Sequence, residues 1–168
     1  PRDWSSDVCS SDLVNCSVDK SVYNHAKVTK KVKSKYNLPD NYLLYLGNIE
    51  PRKNIVGIIT AYENLPKELI NKYKLVLAGG RGWNDEDIKN KLKKTSAREN
   101  IVLTGYVDQQ DAAELYSGAE IFLFPSFYEG FGLPILESMA CGAPVITADN
   151  SSLDRKSTRL NSSHVALS

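Results

Sequence analysis

Short apolar runs alternate with stretches of helical periodicity along most of the chain. Five runs have the length and the apolar character of buried strands, at residues 43–46, 75–78, 101–103, 121–124 and 145–146. Strands that alternate with helices predict a parallel sheet with right-handed crossovers and helices on both faces. The pattern therefore predicts a Rossmann-like α/β fold.

The segments between these runs carry helix signals. Helical spacing after the first run is shown by Ile55, Ile58, Ile59, Tyr62 and Leu65. Asn84 precedes three acidic residues and is the expected N-cap of a second helix, and Asp108 opens a third. A fourth helix is predicted to begin at Pro134, where the fixed φ of proline suits the first helical position.

Residues 24–36, ahead of the first run, combine a narrow apolar stripe with five lysines. Val28, Val32 and Tyr36 recur every four residues, which predicts a short helix. We interpret the lysines as the solvated face of this helix. A phosphate or membrane surface is the alternative that such a charge run leaves open.

The most informative segment is residues 124–143, which connects the fourth run to the fourth helix. Its two carboxylates, Glu129 and Glu137, are eight positions apart. Gly142 fits the left-handed position that follows a last helical turn. Glu129 is therefore expected in a loop, and Glu137 near the start of a helix. Between them, glycines on both sides of Phe131 would let backbone N–H groups approach a ligand closely.

Each of these features also occurs without any function, because the helix dipole alone favours an early glutamate and Gly-x-Gly is common in loops. The whole constellation is more specific. Residues 125–145 match without a break the pattern Pro-Ser-x-x-Glu-Gly-Phe-Gly-Leu-Pro-x-Leu-Glu-x-Met-Ala-x-Gly-x-Pro-Val. This pattern resembles the donor domain of the retaining GT-B glycosyltransferases of family four, the "glycosyl transferases group 1" type. The resemblance implies one half of a GT-B fold, truncated.

The resemblance also implies roles for the acidic segment. Glu137 would accept hydrogen bonds from two vicinal hydroxyls of the nucleotide ribose, and Glu129 would bind hydroxyls of the donor sugar. The loop residues expected to bind the donor beside them are Gly130, Phe131, Gly132 and Leu133.

Two other loops match donor-binding segments of the family. The loop after the first run begins at Gly47 and contains Arg52 and Lys53, which are expected to stabilise the leaving diphosphate. Together with Glu129, these two cations are the candidate catalytic residues. Many relatives carry an arginine directly after the glycine, whereas this chain has Asn48. A surface Arg-Lys pair without a function is the alternative for this loop.

After the third run, Tyr106 and Val107 match the family segment that holds the nucleotide base. Tyr106, Phe127 and Tyr128 fit ordinary packing aromatics equally well. Cys141 follows Met139 and Ala140 in a closely packed helix and is expected to be a small buried residue.

Composition excludes several classes of function. The 168 residues carry 21 basic and 20 acidic side chains, a net charge of +1, which gives no support to nucleic-acid binding. Three cysteines without metal-ligand spacing argue against a disulfide framework and a zinc site. No apolar run reaches the length of a membrane span. These features predict a cytoplasmic protein, and peripheral association with the inner membrane would depend on a domain that the chain lacks.

The two ends of the chain are rich in serine and poor in core residues. Residues 3–13 and 154–163 can be encoded by opposite strands of a single DNA segment. We therefore interpret residues 1–13 and 154–168 as translated sequencing adapter, and residues 14–153 as a partial nucleotide-sugar-binding Rossmann-like domain. Natural disordered tails are the alternative that composition permits.

The expected function is donor binding in a glycosyltransferase that transfers a hexose from a nucleotide-diphosphate sugar with retention of configuration. The family requires no metal or other cofactor, and an acceptor sugar or glycolipid would bind to an amino-terminal domain upstream of residue 14. The fragment alone is expected to be inactive. A stand-alone nucleotide-sugar binding module is the main alternative.

Two further enzyme classes fit less well. A glycoside hydrolase also uses two carboxylates, but it needs no basic loop for a diphosphate. A nucleotide-sugar epimerase would carry the dinucleotide fingerprint, which the glycines of residues 79–82 do not match.

Overall fold

The computed structural model of the protein describes residues 18–19, 21–80, 82, 85–129 and 132–148, together with the backbone of residues 165–167. Asn84, Gly130 and Phe131 lie outside the described residues, as does most of the two predicted tails.

The described strands form one parallel sheet with the order β3-β2-β1-β4-β5-β6. Its members are β1 (Tyr42–Leu46), β2 (Lys74–Ala78), β3 (Ile101–Gly105), β4 (Ile121–Phe124), β5 (Val145–Ala148) and β6 (Val165–Leu167). The first five contain the five apolar runs, so the predicted Rossmann-like sheet is confirmed. The chain order reverses between β1 and β4, and ligands of open α/β sheets bind beside the carboxyl ends of strands at such a point.

The described helices are α1 (Lys30–Tyr36), α2 (Ile55–Glu63), α3 (Lys67–Lys72), α4 (Glu86–Lys94), α5 (Gln109–Gly118) and α6 (Leu133–Ala140). Short 3₁₀ turns at Pro51–Lys53 and Arg98–Asn100 complete the regular structure of the described part. The helices pack on both faces of the sheet. On one face, the Tyr42 hydroxyl donates to the Leu115 carbonyl of α5 at 2.8 Å. On the other face, α2 buries Ile55 and Ile59 completely.

Two helix starts and one additional helix differ from the sequence prediction. The helix predicted over residues 24–36 begins only at Lys30, because the hydroxyl of Thr29 accepts from the Val32 amide at 3.3 Å and caps it there. In α4 the N-cap position belongs to Asp85, one residue after the predicted Asn84. The short helix α3 was not predicted, since its six residues are too few to show a clear period.

An apolar groove with a volume of about 590 Å³ lies on the α2 face of the sheet, over β1, β4 and β5. Leu43, Ile121 and Ile146 form its floor, and Ile58 of α2 forms part of its wall. The groove lies on a face of the sheet, and its lining extends to Asn54 and Pro125, which neighbour the predicted site residues.

Strand β6 lies within the segment predicted to derive from adapter, and its three residues pair with β5 at the edge of the sheet. An exposed sheet edge pairs with extended segments of many sequences, because the bonds are made by the backbone. The pairing thus has no bearing on the origin of the tail, and the boundaries at residues 13 and 153 remain predictions.

The loops that follow β1 and β2 are in direct backbone contact. The Ile49 amide donates to the Gly80 carbonyl at 3.0 Å, and the Gly82 amide donates to the Ile49 carbonyl at 3.0 Å. Gly79 has a φ of +140°, and a Cβ placed on it would lie 2.0 Å from the carbonyl oxygen of Gly47. Only glycine fits at this position.

We therefore expect Gly79→Ala to lower the free energy of unfolding by at least about 2 kcal/mol, because it adds backbone strain and a clash with backbone. Gly80→Ala is a matched control, since a Cβ at Gly80 would meet nothing within 4 Å. Urea denaturation followed by circular dichroism measures both variants. Equal stability of the two variants would contradict this close packing of the two loops.

Candidate functional site

The candidate site lies at the edge of the sheet where the strands end at their carboxyl termini, called the carboxyl edge below. Gly47 directly follows β1, Tyr106 directly follows β3, and Glu129 lies in the loop between β4 and α6. Parallel strands bring these loops to one edge, although they are far apart in sequence.

Arg52 and Lys53, the basic pair, lie together with Glu129. The Lys53 ammonium forms a hydrogen-bonded ion pair with the Glu129 carboxylate. The Nη1 atom of Arg52 lies 3.3 Å from Oε1 of the same carboxylate, and its Nη2 atom lies 2.7 Å from Oε1 of Glu50. The sequence prediction placed these three catalytic candidates in one site, and the structure brings them into direct contact.

Local backbone geometry explains this arrangement. The basic pair occupies a 3₁₀ turn, and Asn54 follows in the left-handed region with a φ of 58°, so that α2 starts in a new direction. The Phe127 amide donates to the Arg52 carbonyl at 2.9 Å, which ties the loop after β1 to the loop after β4.

The two cations of the basic pair differ in their surroundings. Lys53 is only 8% exposed, and its Nζ atom lies 4.9 Å from the centre of the Phe124 ring. The side chain of Arg52 is 49% exposed. Arg52 is thus the more accessible cation, whereas Lys53 contacts the Glu129 carboxylate and the Phe124 ring.

Glu129 is held in its ionised form. Burial raises the pKa of its carboxyl group, but hydrogen bonds and charges from Lys53, Ser126 and Arg52 outweigh burial and leave that pKa below its usual value. A carboxylate in this state accepts hydrogen bonds from hydroxyl groups and does not act as a general acid near neutral pH.

Glu137 occupies a different environment on α6. Gly132 is the N-cap residue with a φ of 71°, so Leu133 is the first helical residue and Pro134 the second. The predicted position of Pro134 was wrong by one residue, and Glu137 lies in the second turn of the helix. Gly142 has the predicted left-handed conformation, with a φ of 85°.

The carboxylate of Glu137 is surrounded by tyrosine hydroxyls. Tyr116 of α5 donates to its Oε2 atom at 3.1 Å, and the Tyr23 hydroxyl lies close enough to lower the pKa of the carboxyl group as well. Burial raises the pKa of Glu137, and the two hydroxyls partly offset that rise. The sequence analysis missed both tyrosines. The sequence did hold a signal for Tyr116, which follows Leu115 on the apolar side of the third predicted helix, where side chains are expected to be buried. A buried tyrosine hydroxyl needs a hydrogen-bond partner.

Comparison with known sequences decides the family. A sequence model described as "Glycosyl transferases group 1" matches residues 27–155. The chain belongs to the group 1 glycosyltransferases. This confirms the family resemblance found in residues 125–145.

Similar proteins include a curated enzyme and two solved structures. The O-antigen chain mannosyltransferase B of Escherichia coli is 49% identical over 124 residues, which cover 73% of this chain and 32% of that protein. Sucrose-phosphate synthase from Thermosynechococcus elongatus is 27% identical with a TM-score of 0.69, over 83% of this chain and 35% of that chain. Anabaena HepE in complex with UDP and glucose is 18% identical with a TM-score of 0.67, over 82% of this chain and 38% of that chain. At this level of identity the similarity shows the fold alone.

This group 1 glycosyltransferase chain thus spans about a third of the length of the mannosyltransferase it matches. Within the described residues, no helix is both long and apolar enough to cross a bilayer. The same residues contain no group of three or more His, Cys, Asp or Glu side chains arranged to hold a metal ion.

Exposed aromatic side chains line the carboxyl edge of this glycosyltransferase domain. Tyr106 is 73% exposed, Phe127 62% and Tyr128 71%. None of the three is buried within the described part of the chain. Val107, by contrast, is buried, so its contact with a ligand would have to use its backbone. Cys141 is fully buried, as expected.

Proposed function

We propose that this chain binds the nucleotide-diphosphate sugar of a retaining glycosyltransferase. The observation that supports this most directly is the joining of Arg52 and Lys53 to Glu129 at the carboxyl edge of the sheet. Cations for a diphosphate and a carboxylate for sugar hydroxyls are the two recognition groups that such a donor requires. The curated relative is a mannosyltransferase, which favours a hexose as the transferred sugar.

The proposed division of labour follows the chemistry of the side chains. Arg52 and Lys53 would bind the diphosphate, Glu129 the sugar hydroxyls and Glu137 the ribose hydroxyls. Gly47, Gly132 and Leu133 would complete the donor site, and Tyr106 with the Val107 backbone would contact the base. Gly130 and Phe131 belong to the same proposed loop and lie outside the described residues.

In the proposed reaction, the bond between the anomeric carbon and the donor phosphate oxygen breaks while the acceptor oxygen attacks from the same side. The acceptor proton passes to an oxygen of the leaving diphosphate, so neither a carboxylate nucleophile nor a divalent metal is needed. The contribution of this chain is then orientation of the donor and stabilisation of the negative charge that develops on the diphosphate. The acceptor, a sugar or glycolipid, would bind to another part of the full-length protein, in the cytoplasm or at the inner membrane.

The test is transfer by the full-length protein that contains this chain. We expect it to transfer hexose from a nucleotide-diphosphate sugar in the presence of EDTA, with product of unchanged anomeric configuration by proton NMR. Donor binding without transfer to any acceptor in a panel of sugars and glycolipids would favour the stand-alone binding module. Loss of transfer in EDTA, or inverted product, would contradict the proposed mechanism.

A further inference from the structure

The hydrogen bond between Tyr116 and Glu137 is held by rigid surroundings. Tyr116 is 1% exposed, and its ring lies edge-on to Phe122 of β4, with centroids 5.1 Å apart and planes at 89°. On another side it meets the Tyr23 ring, with centroids 6.3 Å apart. A ring packed in this way has little freedom to rotate, so the position of its hydroxyl is fixed.

Tyr23 reaches the same carboxylate from a segment before α1 that is fastened to α5 and α6. The Ala26 amide donates to the Ser117 hydroxyl of α5 at 3.0 Å. One ring nitrogen of His25, Nδ1, lies 3.1 Å from the Cys141 carbonyl at the end of α6. Two hydroxyl groups from separate parts of the chain therefore converge on Glu137.

The partner of Tyr116 differs from those of several other buried tyrosines, although Tyr36 also donates to a carboxylate, that of Asp111 at 2.8 Å, which is paired with Lys35. Tyr42 donates to the Leu115 carbonyl at 2.8 Å, and Tyr62 donates to the Tyr73 carbonyl at 2.8 Å. A backbone carbonyl is thus sufficient to satisfy a tyrosine in this core. Tyr116 donates instead to a carboxylate whose partial burial opposes ionisation, an arrangement that costs stability.

A carboxylate has about four lone-pair sites on its two oxygens. The Tyr116 hydroxyl occupies one of them, the Tyr23 hydroxyl approaches the same carboxylate, and at least about two remain for other donors. Neutral hydroxyls also leave the negative charge of the carboxylate uncompensated, in contrast to Glu129 with its two cations. Glu137 therefore keeps both the charge and the lone pairs needed to accept hydrogen bonds from a pair of ligand hydroxyls.

We propose that Tyr116, assisted by Tyr23, is a positioning residue that orients the Glu137 carboxylate toward the vicinal hydroxyls of the donor ribose. This inference rests on the proposed role of Glu137 in donor binding. The Tyr116 hydroxyl on α5 would then set the preference for a ribonucleotide through Glu137, without contacting the donor itself.

The test compares Tyr116→Phe with the wild type for binding of UDP and 2′-deoxy-UDP, or of GDP and 2′-deoxy-GDP if the protein prefers guanine, by titration calorimetry of the full-length protein. The wild type should bind the ribonucleotide more tightly. Tyr116→Phe should lower affinity for the ribonucleotide about five- to tenfold, since one hydrogen bond to a charged acceptor is lost. Affinity for the deoxynucleotide should change much less, so the ratio of the two affinities falls.

Tyr42→Phe is the matched control, because it also removes a buried tyrosine hydroxyl that contacts α5, away from Glu137. Both variants should lose similar stability, but Tyr42→Phe should keep the wild-type ratio of affinities. Tyr23→Phe applies the same test at a less buried residue and should lower the ratio less than Tyr116→Phe does. If Tyr116→Phe fails to fold, Tyr23→Phe should still lower the ratio below that of the wild type.

An unchanged ratio in both Tyr116→Phe and Tyr23→Phe would overturn the positioning role, leaving the proposed function intact if Glu137→Gln still weakens binding. If the wild type shows no preference for the ribonucleotide and Glu137→Gln binds normally, the proposed role of Glu137 fails, and the positioning role fails with it.

Discussion

Replacing both Arg52 and Lys53 by alanine should lower the turnover number of the full-length enzyme by at least about a thousandfold. Removal of a single preorganised donor that stabilises charge in a transition state typically costs about 10²–10³ in turnover, and here two cations are lost. Because the charge on the leaving diphosphate grows as the glycosidic bond breaks, the loss in turnover should exceed the loss in donor affinity. Steady-state kinetics with varied donor, together with donor binding by calorimetry, separates the two effects.

The control for this prediction is Lys30→Ala with Lys31→Ala, which removes the same charge from two neighbouring exposed positions of α1. This variant should retain wild-type turnover and affinity. Equal losses of turnover and affinity in the Arg52 and Lys53 variant would mean that the pair only binds the donor in its ground state.

Loss of Lys53 also leaves Glu129 partly buried beside fewer cations, which is expected to destabilise the fold. Circular dichroism at the assay temperature must therefore show that the doubly substituted protein is folded. Arg52→Ala alone extends the test, because Arg52 is half-exposed and leaves the Lys53–Glu129 ion pair in place. It should show the same excess loss of turnover, on a smaller scale.

The sequence was sufficient to predict the sheet, because strands of a parallel sheet are buried on both faces and therefore appear as continuous apolar runs. It also predicted Gly142, where a local rule about helix ends applies. Helix α3 and the late start of α1 were missed, since they depend on a few residues and on a cap at Thr29.

Rules that apply to neighbouring residues in the sequence could not predict the contacts within the candidate site. Lys53 and Glu129 are 76 positions apart in sequence, and Tyr116 and Glu137 are 21 apart. A motif identifies such residues as functional, but only the fold decides which side chains meet. The prediction that both cations face the diphosphate did not anticipate that Lys53 would already be paired with a carboxylate.

This pairing suggests how the two acidic residues of the motif differ. Glu129 has a lowered pKa beside cations, whereas Glu137 has a raised pKa beside neutral hydroxyls. A glycoside hydrolase would need one of its two carboxylates protonated next to the scissile bond, and Glu129 is unsuited to that role. Both environments fit carboxylates that accept hydrogen bonds from hydroxyl groups, one on the sugar and one on the ribose.

Glu137→Gln should weaken donor binding by about 1.5–3 kcal/mol, which corresponds to roughly a 10- to 150-fold rise in Kd. The substitution keeps the size of the side chain but removes the charge that strengthens its hydrogen bonds to two ribose hydroxyls. Titration calorimetry of the full-length protein with UDP and GDP measures the change. Glu68→Gln, at an exposed position of α3, is the matched control and should bind as the wild type does.

Stability should change in the opposite sense to binding. The raised pKa of Glu137 means that folding favours its neutral form, so a neutral glutamine should leave the free energy of unfolding unchanged or higher at neutral pH. A variant that is at least as stable as the wild type but binds the donor poorly would show that the buried charge is retained for binding. Unchanged donor affinity would contradict the role of Glu137, and a loss of stability that accompanies weaker binding would indicate instead that its carboxylate supports the packing of α5 against α6.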